Sequence, residues 1–108
     1  MGFTADEKTE ITSVGITLDT AYYTLRRQCT ISGFFNSSGA KRYHVHGRYM
    51  IYASRDAYLA SAQPIQNNVS VEVELETLTG KEPMTELYAA LKTKLGLTAA
   101  NTTDFLND

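Results

Sequence analysis

The chain contains 108 residues, of which 43% are hydrophobic, and this combination predicts one soluble globular domain with a modest core. Its 10 basic and 12 acidic residues give a formal charge of −2, which excludes a broad positive field for a nucleic-acid backbone. Residues 1–10 lack the basic start and apolar run of a signal peptide, and no stretch is apolar enough to span a membrane, so we expect neither export nor a membrane partner.

The first segment, residues 1–13, is rich in charge and threonine and shows no hydrophobic periodicity. Such a segment buries too little apolar surface of its own to offset the entropy lost on ordering. We therefore expect a mobile N-terminal arm that becomes ordered only against a partner.

Residues 16–31 admit two interpretations. Several apolar side chains between Leu18 and Cys29 fit one face of a helix, whereas the density of threonine, tyrosine and isoleucine favours a strand that ends near Ser32 and Gly33. We favour the strand.

The next segment contains a strong turn signal at residues 36–39 (NSSG), which predicts a connection between two antiparallel strands. Residues 41–53 then alternate as a strand, and Gly47 interrupts its apolar row, which indicates a bulge or a close backbone contact. Ser54 is suited to cap a short helical turn that ends before Pro64.

The clearest pattern is a one-sided strand at residues 69–76 followed by a one-sided helix at residues 83–95. Pro83 suits the first helical position, and Gly96 suits a left-handed helix end. The two apolar faces can cover each other. They consist of Val69, Val71, Val73 and Leu75 on the strand, and of Met84, Leu87, Tyr88, Leu91 and Leu95 on the helix.

The last segment, residues 97–108, is polar but retains Phe105 and Leu106, which predicts a tail that docks onto another surface. The predicted organisation is an N-terminal arm at 1–13, an α+β domain at 14–96 and a C-terminal tail at 97–108. The predicted fold is a small antiparallel β-sheet packed against one C-terminal amphipathic helix, with mobile arms at both ends.

Candidate catalytic and metal-binding groups are few. His44 and His46 lie on one strand face, but a metal site needs further ligands, and local spacing fixes none. Cys29, the one cysteine, has no signature of an adjacent base, and the glutamates of residues 72–76 match a solvated strand face. We predict no catalytic residue, metal, cofactor or small-molecule substrate, and hence no enzyme.

Aromatic residues are abundant, with seven tyrosines and four phenylalanines. Adjacent pairs at residues 22–23 and 34–35 must point to opposite faces of a sheet, so either the second ring is half-exposed or both faces are covered. Tyrosine is common both in strands and at protein interfaces. The interface hypothesis names Phe3, Tyr22, Tyr23, Phe34, Phe35, Tyr49, Tyr52, Phe105 and Leu106 as candidates.

Three short blocks occur in order at residues 15–22 (GITLDTAY), 49–57 (YMIYASRDA) and 87–93 (LYAALKT). In this order the chain resembles small structural proteins encoded in the head and tail gene clusters of tailed bacteriophages. The polar start and residues 97–108 depart from that pattern. The resemblance implies a tail, neck or baseplate component without catalytic residues. It also implies that the protein lies in the virion, and in the host cytoplasm before assembly, with other virion proteins and copies of itself as partners.

A competing hypothesis is a small soluble protein-binding or regulatory module that works as a monomer or dimer. Both hypotheses describe a non-enzymatic protein that acts through protein–protein contacts, and neither includes nucleic acid as a partner.

Overall fold

The computed structural model describes residues 2–11, 14–106 and 108. In chain order, its elements are β1 (Gly2–Ala5), β2 (Thr9–Ile11), β3 (Ile16–Leu18), β4 (Tyr22–Phe35), β5 (Lys41–Tyr52), α1 (Arg55–Leu59), β6 (Gln66–Leu75), α2 (Pro83–Lys94), a 3₁₀ helix (Ala99–Asn101) and β7 (Thr102–Phe105).

The architecture is an antiparallel sheet with α2 packed on one face. Within the described residues, this sheet has the strand order β6-β5-β4-β1-β7, while β2 and β3 pair as a separate ribbon. The predicted α+β class is confirmed. Residues 16–31 are extended apart from the turn between β3 and β4, so the strand interpretation of this segment is also confirmed.

The β4–β5 hairpin forms because residues 36–39 close a tight turn. The Asn36 side-chain oxygen accepts hydrogen bonds from the Ser38 and Ala40 amides at 3.1 and 3.0 Å, and Gly39 has a φ of +81° that favours glycine. The pairing register shifts between Leu25 and Cys29, which face Tyr49 and Gly47. Four residues along β4 therefore span the same distance as two along β5, which leaves a bulge of two extra residues in β4.

Helix α2 covers the apolar faces of β5 and β6, as the spacing predicts. Its first turn is capped by the Glu82 side chain, which accepts a hydrogen bond from the Thr85 amide at 2.7 Å, and Gly96 follows with a φ of +72°. Leu87 is fully buried, and a Cβ at Gly47 would lie 2.8 Å from its Cδ1 atom. The predicted close contact at Gly47 is thus present, and it lets helix and strand approach.

The predicted N-terminal arm is corrected by the structure. Gly2–Ala5 is the strand β1, which lies between β4 and β7 and is buried along its whole length. Phe3 is 0% exposed, stacks on Tyr23 with ring centroids 5.3 Å apart, and meets the Tyr88 ring edge-on. A four-residue strand is too short to show a hydrophobic periodicity. Its burial also depends on partners that are distant in the sequence. Residues 1, 12 and 13 of the predicted arm lie outside the described residues.

The predicted C-terminal tail is corrected in the same way. Thr102–Phe105 forms β7 and pairs with β1, so the segment docks onto the chain's own sheet. The Tyr88 hydroxyl lies 2.8 Å from both the Gly2 carbonyl oxygen and Asp104 Oδ1, and Lys92 Nζ lies 2.7 Å from the same carboxylate oxygen. Helix α2 thereby bonds to both terminal strands, β1 and β7.

The face of the sheet opposite α2 is covered by a smaller aromatic cluster around Tyr22 and by the carboxylate of Asp108. Asp108 accepts a hydrogen bond from the Tyr22 hydroxyl at 2.7 Å and two from the Arg55 guanidinium at 3.0 Å each. The same guanidinium lies 4.0 Å above the Phe105 ring. The hydrogen bonds from Arg55 and Tyr22 lower the pKa of the Asp108 carboxyl, and burial together with Asp108 raises the pKa of the Tyr22 hydroxyl.

Replacing Phe3 by alanine tests the N-terminal strand. We expect Phe3→Ala to lower the free energy of unfolding by about 3–5 kcal/mol, because a fully buried ring leaves a cavity. The matched control is Phe35→Ala, which removes a ring that is 70% exposed and should change stability by less than about 0.5 kcal/mol. Urea denaturation measures both. Equal, small effects would mean that β1 is not part of the folded sheet.

Replacing Asp108 by asparagine tests the link between the chain end and the sheet. Because the folded pKa of Asp108 is lowered, its stabilisation is fully present above the unfolded value of about 3.9 and is lost as the pH falls below that value through the lowered folded pKa. Asp108→Asn should be less stable than the wild type at pH 7, and the difference should shrink as the pH falls below about 4. Urea midpoints measured over this pH range check it. Asp19→Asn, at an exposed position, is the control, and a difference that stays constant with pH would contradict the prediction.

Candidate interaction surface

The sheet extends beyond the region where β1 pairs with β4. β1 pairs with β4 only at Tyr22–Thr24, although β4 runs to Phe35. The extension consists of residues 26–35, 41–48 and 70–75 of β4, β5 and β6, and we call it the wing. Among the described residues, the outer edge of β4 in the wing has no strand partner. Its backbone donors and acceptors on that side are open to a further strand.

The end of the wing carries exposed apolar side chains on both faces. Ile31 is 43% exposed, Phe34 36% and Phe35 70%. Ile31 and Phe35 share the face that α2 covers further along the sheet, because they pair with Val45 and Lys41, whereas Phe34 lies on the opposite face. We call these three residues the apolar tip. Lys41 Nζ lies 4.9 Å above the Phe35 ring, and its charged group remains at the surface.

The face of the wing opposite α2 is polar, and its acidic side lies on β6. Glu72, Glu74 and Glu76 form a carboxylate row whose side chains are 63%, 49% and 83% exposed. Arg42 pairs with Glu74 and Glu76 at 2.9 and 3.0 Å, and His44 Nε2 lies 2.9 Å from Glu72. A single guanidinium thus serves two carboxylates of the row, and negative charge remains in excess.

The basic side of this face lies at the bulge of β4. Arg26 and Arg27 lie in the bulge, and together with Arg48 and His46 they line an open depression of about 1080 Å³. We call Arg26, Arg27 and Arg48 the arginine cluster. Two extra residues in β4 bring two consecutive arginines to the rim of one depression, where a regular strand would point them to opposite faces.

The hydrogen-bond partners of Arg26 and Arg48 are neutral. Arg26 donates to the Asn67 side-chain oxygen at 2.5 Å, and Arg48 donates to the Asn68 carbonyl and the Ser70 hydroxyl at 3.0 Å each. Within residues 2–11, 14–106 and 108, no carboxylate forms an ion pair with any of the three. The carboxylate of Asp108 also lines the depression, but it bonds to Arg55. The depression therefore carries uncompensated positive charge.

The residues predicted from sequence as interface candidates separate by burial. Most of these residues pack within the protein, because each face of the sheet has an aromatic layer. Phe3, Tyr23 and Tyr49 form one layer below α2, and a second layer surrounds Tyr22 on the opposite face. Phe3, Tyr22, Tyr23, Tyr49 and Tyr52 are buried, Phe105 is half-buried, and Phe34, Phe35 and Leu106 are exposed.

Sequence reasoning missed two parts of this surface. Ile31 ends the segment at residues 16–31 that admits a helix or a strand, and only the tertiary structure leaves it exposed, outside the core cluster under α2. The arginine cluster was missed because Arg48 joins Arg26 and Arg27 through strand pairing and the bulge. The consecutive arginines at 26 and 27, inside a strand-like segment, were the available signal.

The histidines are placed on the polar face with their rings 6.4 Å apart. His44 contacts Glu72, while Cys29 is half-buried against the core on the other side of the sheet. Across the described residues, no three His, Cys, Asp or Glu side chains are arranged to hold a metal ion. Neither α1 nor α2, the α-helices of the described ranges, is long and apolar enough to cross a membrane.

Comparison with protein-family models, with curated proteins and with solved structures found no match.

Proposed function

We propose that this protein is a structural subunit of a bacteriophage virion, a tail, neck or baseplate component that acts through protein–protein contacts in an oligomeric assembly. The observation that carries the proposal is the apolar tip, where Ile31, Phe34 and Phe35 stand exposed at the end of the wing. The resemblance of three sequence blocks to phage structural proteins supports the choice of assembly.

The apolar tip favours a partner because its side chains gain most from being covered. Removing apolar surface from water is favourable by about 25 cal/mol per Å², and a phenylalanine exposes a large area. Aromatic side chains also dominate the energetics of many protein interfaces. Phe35, which is 70% exposed, is the side chain of the tip with most to gain.

The open edge of β4 adds directionality to that contact. A partner strand can extend the sheet by main-chain hydrogen bonds, while side chains above and below provide specificity. Natural sheets usually protect such an edge by covering it, by a bulge or by charge. Here β1 covers the edge at Tyr22–Thr24, the bulge with Arg26 and Arg27 follows, and the edge from Cys29 to Phe35 remains open within the described chain.

The same features support an assembly contact on the wing and not at the chain ends. Because β1 and β7 are strands of the chain's own sheet, they do not provide the flexible arms that the sequence predicted. The proposed partners are other virion proteins and copies of this chain. The proposed location is the virion, and the host cytoplasm before assembly.

Polar substitution of the tip tests this proposal. In a phage that carries the gene, Phe34→Ser together with Phe35→Ser should strongly reduce incorporation of the protein into particles, because the partner loses its apolar contact. Thermal unfolding of the purified variant should stay close to the wild type, since both rings are exposed. Mass spectrometry of purified virions measures incorporation.

The matched control is Leu59→Ser, which removes an exposed apolar side chain from α1, away from the tip. Normal incorporation of the double variant would contradict the proposed contact. Absence of the wild-type protein from purified virions, combined with a monodisperse monomer in solution, would instead favour the small binding or regulatory module.

A further inference from the structure

We infer that copies of this chain associate head to tail through the wing, with the carboxylate row of one copy against the arginine cluster of the next. This inference rests on the proposed function as an assembly subunit and names one of its partners, a second copy.

The first step is the charge of the arginine cluster. Three arginines line one depression, and the hydrogen bonds of Arg26 and Arg48 go to neutral groups, whereas the other two arginines of the chain bind carboxylates. Guanidinium is suited to bind carboxylates through paired hydrogen bonds. The cluster therefore matches a ligand that presents several carboxylates.

The second step is the charge of the carboxylate row. Arg42 and His44 contact the row from β5, but all three glutamate side chains remain about half or more exposed. Glu76, at 83%, can accept further donors, as can Glu72 at 63%. The chain thus carries the chemistry that its arginine cluster is suited to bind.

The third step is geometry. Cluster and row lie on the same polar face, because His46 lines the depression and pairs with Glu72 across β5 and β6. They are displaced along the strands, since Arg26 and Arg48 bond to residues 67, 68 and 70 at the start of β6, whereas the row occupies positions 72 and 74 further along β6 and position 76 just after it. A repeat of the chain along the strand direction brings the row of one copy towards the cluster of the next. Such a contact is heterologous, and it closes into a ring or continues as a filament.

A nucleic-acid ligand fits the same face less well. The carboxylate row lies further along β6 from the residues to which Arg26 and Arg48 bond, and it repels a phosphate backbone that follows the sheet. The formal charge of −2 also provides no general attraction for nucleic acid.

A charge-exchange experiment tests the inference. Sedimentation equilibrium of the full-length wild type should show association at about 50 mM salt that weakens at about 500 mM, because exposed charges are screened. Arg26→Glu with Arg27→Glu, and separately Glu72→Lys with Glu74→Lys, should each raise the dissociation constant roughly tenfold or more. Mixing these two variants should restore association, since each supplies the charge that the other needs.

The matched control for the arginine variant is Lys8→Glu with Lys81→Glu, which makes the same change in net charge at exposed positions outside both surfaces. Arg48 is left unchanged because it bonds to Asn68 and Ser70. Thermal unfolding of each variant verifies that it is folded, and Glu72→Gln with Glu74→Gln replaces the lysine variant if that one unfolds.

A wild type that stays monomeric at every salt concentration, or a mixture that fails to associate, would overturn the inference. So would binding of a DNA oligonucleotide that depends on Arg26 and Arg27 in a chain that does not self-associate. The proposed function has a separate readout, because a chain that is monomeric in isolation but present in purified virions fails only the head-to-tail contact.

Discussion

The pairing of β4 with β5 is the interaction on which the rest of the structure depends. Every other strand of the main sheet is added to this hairpin, with β6 on β5 and β1 on β4. Helix α2 approaches it where Gly47 leaves space for Leu87. The hairpin is longer than the elements that cover it, since β1 reaches only to Thr24 while β4 continues to Phe35. This mismatch in length creates the wing, and with it the exposed surface that a partner can bind.

The covered part of the hairpin explains why so many aromatic residues fit into a small domain. Tyr22 and Tyr23 point to opposite faces, and each face has its own cover. Tyr23 lies with Phe3 below α2, while Tyr22 lies with Tyr58 and contacts the carboxylate of Asp108. Both chain ends therefore contribute to closing the sheet, and the carboxylates near the C-terminus are bound by Arg55 and Lys92.

The uncovered part separates apolar from charged surface by position. The end of the wing exposes Phe34 and Phe35, which would gain from burial, whereas the polar face separates positive from negative charge along the strands. Exposed ion pairs contribute little stability each, so charge separated in this way is better suited to orient a contact than to strengthen it. Apolar burial and charge pairing would then act together, the first for affinity and the second for direction.

The sequence by itself determined the elements whose pattern is local. The alternation at residues 69–76 predicted β6, the spacing of Leu87 and Leu91 predicted α2, and residues 36–39 predicted the hairpin turn. These signals suffice because a strand face, a helix stripe and a turn each depend on neighbouring residues.

Only the tertiary structure decided where the two terminal segments lie and which residues form the surface. Phe3 is buried by Tyr23 and Tyr88, which are distant in the sequence. The N-terminal segment, whose composition predicted a mobile arm, therefore contains a strand within the sheet. Arg48 joins Arg26 and Arg27 only because the strands pair with a two-residue bulge, and Phe35 is exposed because it lies beyond the core cluster that packs under α2. Burial and charge clustering depend on contacts between distant segments, and the local pattern of residues does not contain those contacts.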